Sequence, residues 1–341
     1  MLFLIAVILF ILLFLLPFLP GVIELISKED AEPLFISMDY IRNPRYFGKS
    51  FKKLLHRATA GFAYNPGMHD IKLSKDEKME LIHSPNISAN REINHILHVI
   101  GDLVSEGNVQ FNKEVYATGN VAVGPGNIIR AMVGDGDVAL AEGVQFLRWL
   151  DAEGDIDIGA NCTLGISASS GGRLYLSKDC AFHRLFGMPI TTGYNIAAMI
   201  NYPEESFPSL EPFTEEFPFI RKKERFIPPG TTMKNDVIFL NDVLIGNDCI
   251  FKGTIKSYGK IILEENITID GNIFADGDIL IGKNSKIRGH IFSQMSIYIS
   301  EQTVISRPDK IKSIIGKRSI RIGKDVNIYG YVATEGDGKT V

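Results

Sequence analysis

The chain has 341 residues, a formal net charge of −4, an apolar fraction of 45% and three cysteines. So small a net charge sets up no field that would gather nucleic acid, and that class of partner is excluded as an expectation. An odd cysteine count argues against a disulfide framework. Cys162, Cys180 and Cys249 read as small buried thiols, the first two one repeat apart.

From Met1 to Ile23 there is no ionisable side chain. As a helix this run reaches about 34 Å, enough to cross a bilayer core. A cleaved signal peptide would need a basic leader and a small-residue cleavage site. Here no basic residue precedes the run, and it ends in Leu16-Pro17-Phe18-Leu19-Pro20. Residues 1–26 are therefore expected to be a transmembrane anchor. Lys28, Arg42, Arg45, Lys49, Lys52, Lys53 and Arg57 all lie after it, which places the remainder on the cytoplasmic side of a single-pass membrane protein.

Residues 27–94 read as a basic juxtamembrane segment and linker, mostly helical or irregular. Phe47, Phe51, Leu54 and Leu55 share one side of a short helix. Two readings stay open. Arg42, Arg45, Lys49, Lys52, Lys53 and Arg57 contact anionic lipid, or the segment caps the first coil of a solenoid downstream.

Residues 95–186 and 236–336 carry an 18-residue register. Asn241, Gly259, Gly277 and Met295 start successive units. The third place holds Val243, Ile261, Ile279 and Ile297, the fifth Ile245, Leu263, Ile281 and Ile299, the eleventh Phe251, Ile269, Ile287 and Ile305. A further unit restarts at Arg318 with Ile320, Ile322 and Ile328. Upstream, Gly101, Gly119, Gly136, Gly154 and Gly172 open units of the same kind. Apolar residues two apart line one face of a strand, and helical repeats need longer units. Three short strands per unit predict an all-β triangular solenoid of about ten coils. Gly-Asp pairs at the seams, such as Gly154-Asp155, suit tight corners. The final coil, with Ile320, Ile322, Ile328 and Val332, is expected to be the open end through which copies associate, and residues 337–341 a tail.

Between the blocks, residues 187–235 hold prolines, aromatics and an acidic-then-basic charge pattern. One reading is a partner-binding arm anchored by Phe207, Phe213, Phe217 and Phe219; the other is a loop packed along the solenoid flank.

In hexads the second block reads LEENIT-IDGNIF-ADGDIL-IGKNSK-IRGHIF-SQMSIY-ISEQTV. With the short N-terminal span, this resembles the bactofilins, polymer-forming bacterial cytoskeletal proteins. The resemblance covers about residues 95–336. It implies a right-handed β-helix, end-to-end assembly without nucleotide, no cofactor, and scaffolding of envelope or cell-shape proteins at the bacterial inner membrane. The two blocks and the large N-terminal segment depart from the compact family pattern. The hexads also resemble the left-handed coils of hexapeptide acyltransferases acting on sugar or lipid-linked substrates. Those prefer a small fifth residue, where this chain has Ile255, Ile273 and Ile291. Such an enzyme would use a His base. His183 and His290 are the candidates, and both read as outward corner residues. No zinc spacing, phosphate loop or nucleophile elbow is present, so no catalytic, metal or cofactor residue is assigned.

Overall fold

The computed structural model describes residues 10, 43–60, 71–72, 77–193 and 220–341. The anchor expected over residues 1–26 lies outside these apart from Phe10; among the described residues no helix is long and apolar enough to cross a membrane. Strands β1 (Ile71–Lys72) to β33 (Asn327–Thr340) wind into an all-β solenoid of about 13 turns at 18-residue spacing. This exceeds the expected ten. Coiling begins at Lys78, inside the segment read as a linker, and block 2 begins at Ile220, inside the segment read as an insert. The degenerate first coil of each block hides the period.

Each coil has three faces. In block 2 one coil reads Val243–Ile245, Ile250–Phe251 and Ile255–Ser257, and each strand pairs in parallel with the strand 18 residues on. Alternation turns Val243 and Ile245 inward and Leu244 outward. The inward columns form one continuous aliphatic core through both blocks, from Ile87 to Val332.

One corner of every coil requires a left-handed residue. The positions are Asn90, Asn108, Gly126, Gly143, Asn161 and Asp179 in block 1, and Gly230, Asp248, Asn266, Asn284, Gln302 and Asp325 in block 2, with φ between 56° and 73°. Asn, Asp and Gly tolerate this region, and β-branched residues do not. The Gly-Asp seams work differently. A Cβ on Gly154 would lie 2.2 Å from Oδ1 of Asp137, one coil below, so glycine there answers a close approach. That same Asp137 Oδ1 accepts the backbone N–H of Asp155, and Asp155, Asp242 and Asp278 repeat the bond one coil onward.

The two blocks join in a way the period does not announce. β15 (Ala181–Thr192), the last strand of block 1, pairs antiparallel with β33, the last strand of block 2. Leu185 meets Val332 and Ile190 meets Ile328. Block 2 is thus stacked on block 1 with its winding sense of travel reversed, final coil against final coil. Around this junction Cys180 N–H donates to Thr340 Oγ1, Thr340 N–H to the Cys180 carbonyl, and Lys339 pairs with Asp179 at 2.8 Å. Residues 337–340, expected as a tail, are part of this strand. Thr192, at the junction, and Ile220, on the first coil of block 2, therefore lie at opposite ends of block 2. At about 4.8 Å per coil that separation is about 30 Å.

The left-handed corner yields a test. Asn266→Val should cost about 1–2 kcal/mol and lower the melting midpoint followed by circular dichroism, whereas Asn266→Gly should leave it nearly unchanged.

Candidate functional site

A helix, α1 (Tyr46–Thr59), lies on the outer surface of block 1. It is neither a cap over the first coil nor wholly a lipid-facing element. Its inner face carries Gly48, Phe51, Lys52 and Leu55, with Arg45 at the N-cap on the same side. Arg45 donates two bonds to Asp151, at 2.8 and 3.0 Å, and one to Glu153 at 2.7 Å. Lys52 reaches Asp135 at 2.5 Å and Glu153 at 3.2 Å. Leu55 is fully buried, and Phe51 packs edge-on against Trp149 at 5.7 Å between centroids. Gly48 is needed because a Cβ there would collide with Asp151.

The helix covers an outward column of one solenoid face: His98, Tyr116, Val133, Asp151 and Ser169, each paired with the next. Successive contacts, Arg45 with Asp151, Lys52 with Asp135 and His56 with Tyr116, step down the coils. α1 therefore runs along the solenoid axis, its length of about 21 Å spanning several coils.

Electrostatics make this clasp strong and conditional. Burial opposes the charge on Arg45, yet its bonds to Asp151 and Glu153 outweigh that and raise its pKa. Burial raises Asp151 against the pull of Arg45 and Ser169. Glu153, bonded by Arg45, is lowered to about 2. His98 is 5% exposed and stacks on Tyr116 at 4.7 Å, and neither ring nitrogen has a hydrogen-bond partner among the described residues. Burial, with His56 nearby, lowers its pKa from 6.5 to about 4. Tyr116 in turn donates to Asp135 at 2.7 Å.

Of the six expected lipid contacts, Arg45 and Lys52 are turned inward as ion-pair partners. Lys49, Lys53 and Arg57 are exposed, and Arg42 lies outside the described residues. The expected open end is corrected: Ile320, Ile322, Ile328 and Val332 are at most 1% exposed, and the strand carrying the last two is paired with block 1. The aromatic anchors Phe207, Phe213, Phe217 and Phe219 lie outside the described residues. His183 is exposed on β15. His290 Nδ1 accepts the Ser313 backbone N–H at 3.1 Å, which occupies the nitrogen through which a carboxylate would orient a general base. The three cysteines are free and buried.

Block 2 presents the same face without a covering helix among the described residues. Its outward column runs Ile238, Lys256, Phe274, Phe292, Ile315 and Ala333. The Leu185–Val332 pairing puts this column and the one beneath α1 on the same side of the rod.

Trp149 is the single tryptophan and reports on the clasp. The docked state keeps His98 neutral to about pH 4, and a released His98 binds its proton near 6.5. Protons therefore favour release. The clasp should be fully stable above about pH 6.5 and weaken as pH falls toward 4, seen as a red shift of Trp149 emission. His98→Phe should remove the part of that transition above about pH 4.5, leaving the loss that Glu153 contributes as pH falls from 4.5 toward 2. Arg45→Met strands the buried Asp151 carboxylate, a loss of about 3–5 kcal/mol, and should give the red shift at neutral pH.

No family model, no curated protein and no solved structure matches this chain.

Proposed function

We propose that the protein is a non-enzymatic β-helical scaffold of the bactofilin kind, held at the bacterial inner membrane by its N-terminal span, with the solenoid on the cytoplasmic side. Its role is to self-associate and to gather envelope or cell-shape proteins along its flank. The observation that carries this reading is the half-buried outward column of block 2. Phe274, Phe292 and Ile315 stand in adjacent coils on the face that α1 covers in block 1. Aligned apolar side chains at coil spacing suit a partner that lies along the rod, whether a second copy or a helical segment.

The reading differs from end-to-end growth through the final coil, which is occupied within the molecule. The right-handed sense rests on the bulky Ile255, Ile273 and Ile291 at places where left-handed coils prefer small residues. No cofactor is invoked.

The test uses the chain lacking residues 1–30, observed by light scattering and negative-stain electron microscopy. Assemblies should form without nucleotide. Phe274→Lys combined with Phe292→Lys should reduce them to single rods, with little change in melting because both residues point outward. Assemblies unaffected by that pair would remove the flank from the account, and a discrete trimer that binds an acyl carrier would replace it with an acyltransferase.

A further inference from the structure

The clasp explains the inner face of α1 and leaves the outer face without a role. The helix, YFGKSFKKLLHRAT, contains no acidic residue. At 100° per residue, Lys49, Lys53 and Arg57 form one outward stripe, and Phe47 and Leu54 border it. All five are exposed. Phe47 is 38% and Leu54 58% exposed, high values for large apolar groups on a helix already buried on its other side. A helix face that serves only solvation has no need of two exposed apolar side chains beside a purely cationic stripe. That combination fits an anionic bilayer surface: cations for headgroups, Phe and Leu for the acyl boundary.

Chain connectivity supplies the second argument. The uncharged run ends at Ile23, and α1 begins at Tyr46. Even fully extended, the intervening chain reaches only about 80 Å. A helix tethered so near a bilayer meets it at high effective concentration, so modest affinity suffices.

We infer that the outer face of α1, formed by Phe47, Lys49, Lys53, Leu54 and Arg57, is a contact surface for anionic lipid that lays the solenoid flat on the membrane. This rests on the membrane-anchor reading and goes beyond it. Because α1 runs along the solenoid axis and is clasped by Arg45 and Lys52, lipid contact along the helix sets the rod parallel to the bilayer. A rod held at a single point of attachment would have no fixed orientation. The inner and outer cations thus do different work: Arg45 and Lys52 hold the helix to the rod, and Lys49, Lys53 and Arg57 hold the helix to the lipid.

The experiment uses the full chain, reconstituted in vesicles of phosphatidylcholine alone or mixed with phosphatidylglycerol. Leu54→Cys is labelled with an environment-sensitive fluorophore; Cys162, Cys180 and Cys249, each at most 1% exposed, stay unlabelled. Flotation with both vesicle types reports the anchor. The expected result is a blue-shifted probe, quenched by nitroxide on the lipid, only where phosphatidylglycerol is present. Adding Lys49→Glu, Lys53→Glu and Arg57→Glu should abolish the shift while flotation persists and Trp149 emission stays unchanged. A probe that remains aqueous in both lipids, or a shift that survives charge reversal, overturns the inference while leaving the anchor standing. Trp149 passing to water as the probe enters lipid would show the helix leaving the rod and contradict the flat arrangement. Flotation with neither vesicle overturns the anchor and the inference together.

Discussion

A β-solenoid has a problem at each end. Every coil satisfies its backbone groups with the coil above and the coil below, so a terminal coil presents a row of unpaired N–H and C=O groups around an open apolar core. This chain settles two of its four block ends at once. The last coils of the two blocks cap each other through β15 and β33, and the aliphatic core continues across the seam. The antiparallel sense of that seam sets much else. It makes both free ends of the rod first coils, sets Thr192 and Ile220 at opposite ends of block 2, and buries the residues that would otherwise drive growth from the final coil.

The solenoid was legible in the sequence because its determinants are local and periodic. Val243, Ile261, Ile279 and Ile297 recur in one inward column, and any chain with that alternation and spacing must stack it. The direction of block 2 was not legible, because an inward isoleucine packs equally well on a coil below it or inverted above it. Ile190 would satisfy either partner, and the structure gives it Ile328. From sequence the chain between the blocks reads as an insertion, and nothing in its composition says that Thr192 and Ile220 lie at opposite ends of block 2. The corners were half legible. Glycine at the seams was expected for its backbone freedom, and at Gly154 it is there for want of space. The left-handed corner falls instead on a column of Asn, Asp and Gly, with Gln302 the exception, a signal present in the sequence at the same period.

The clasp escaped for a different reason. Lys52 shares α1 with Lys49, Lys53 and Arg57, Arg45 stands at its N-cap, and nothing local separates a cation that will find a carboxylate from one that will face solvent. The partners lie about a hundred positions away, on coils whose outward residues are otherwise unremarked: Asp135, Asp151 and Glu153. Burying an arginine costs a large desolvation penalty unless its bonds are nearly all made. Arg45, forked onto Asp151 and bonded to Glu153, meets that condition. Trp149 and Tyr116 gave no hint of function from sequence. The topology places both on the column that the helix covers. Coupling a charged clasp to a buried His98 whose ring nitrogens have no hydrogen-bond partner among the described residues makes this flank the part of the rod most responsive to its surroundings, whereas the coil stack itself is uniform and apolar.

The two blocks meet final coil to final coil. The most direct measurement is a spin-label distance between cysteines replacing Lys178, exposed beside the junction, and Thr232, exposed on the first coil of block 2. A junction of that kind separates them by most of the length of block 2, about 30 Å at about 4.8 Å per coil. A distribution centred below about 15 Å, as expected if block 2 simply continued the stack of block 1 by about one coil spacing, would contradict it.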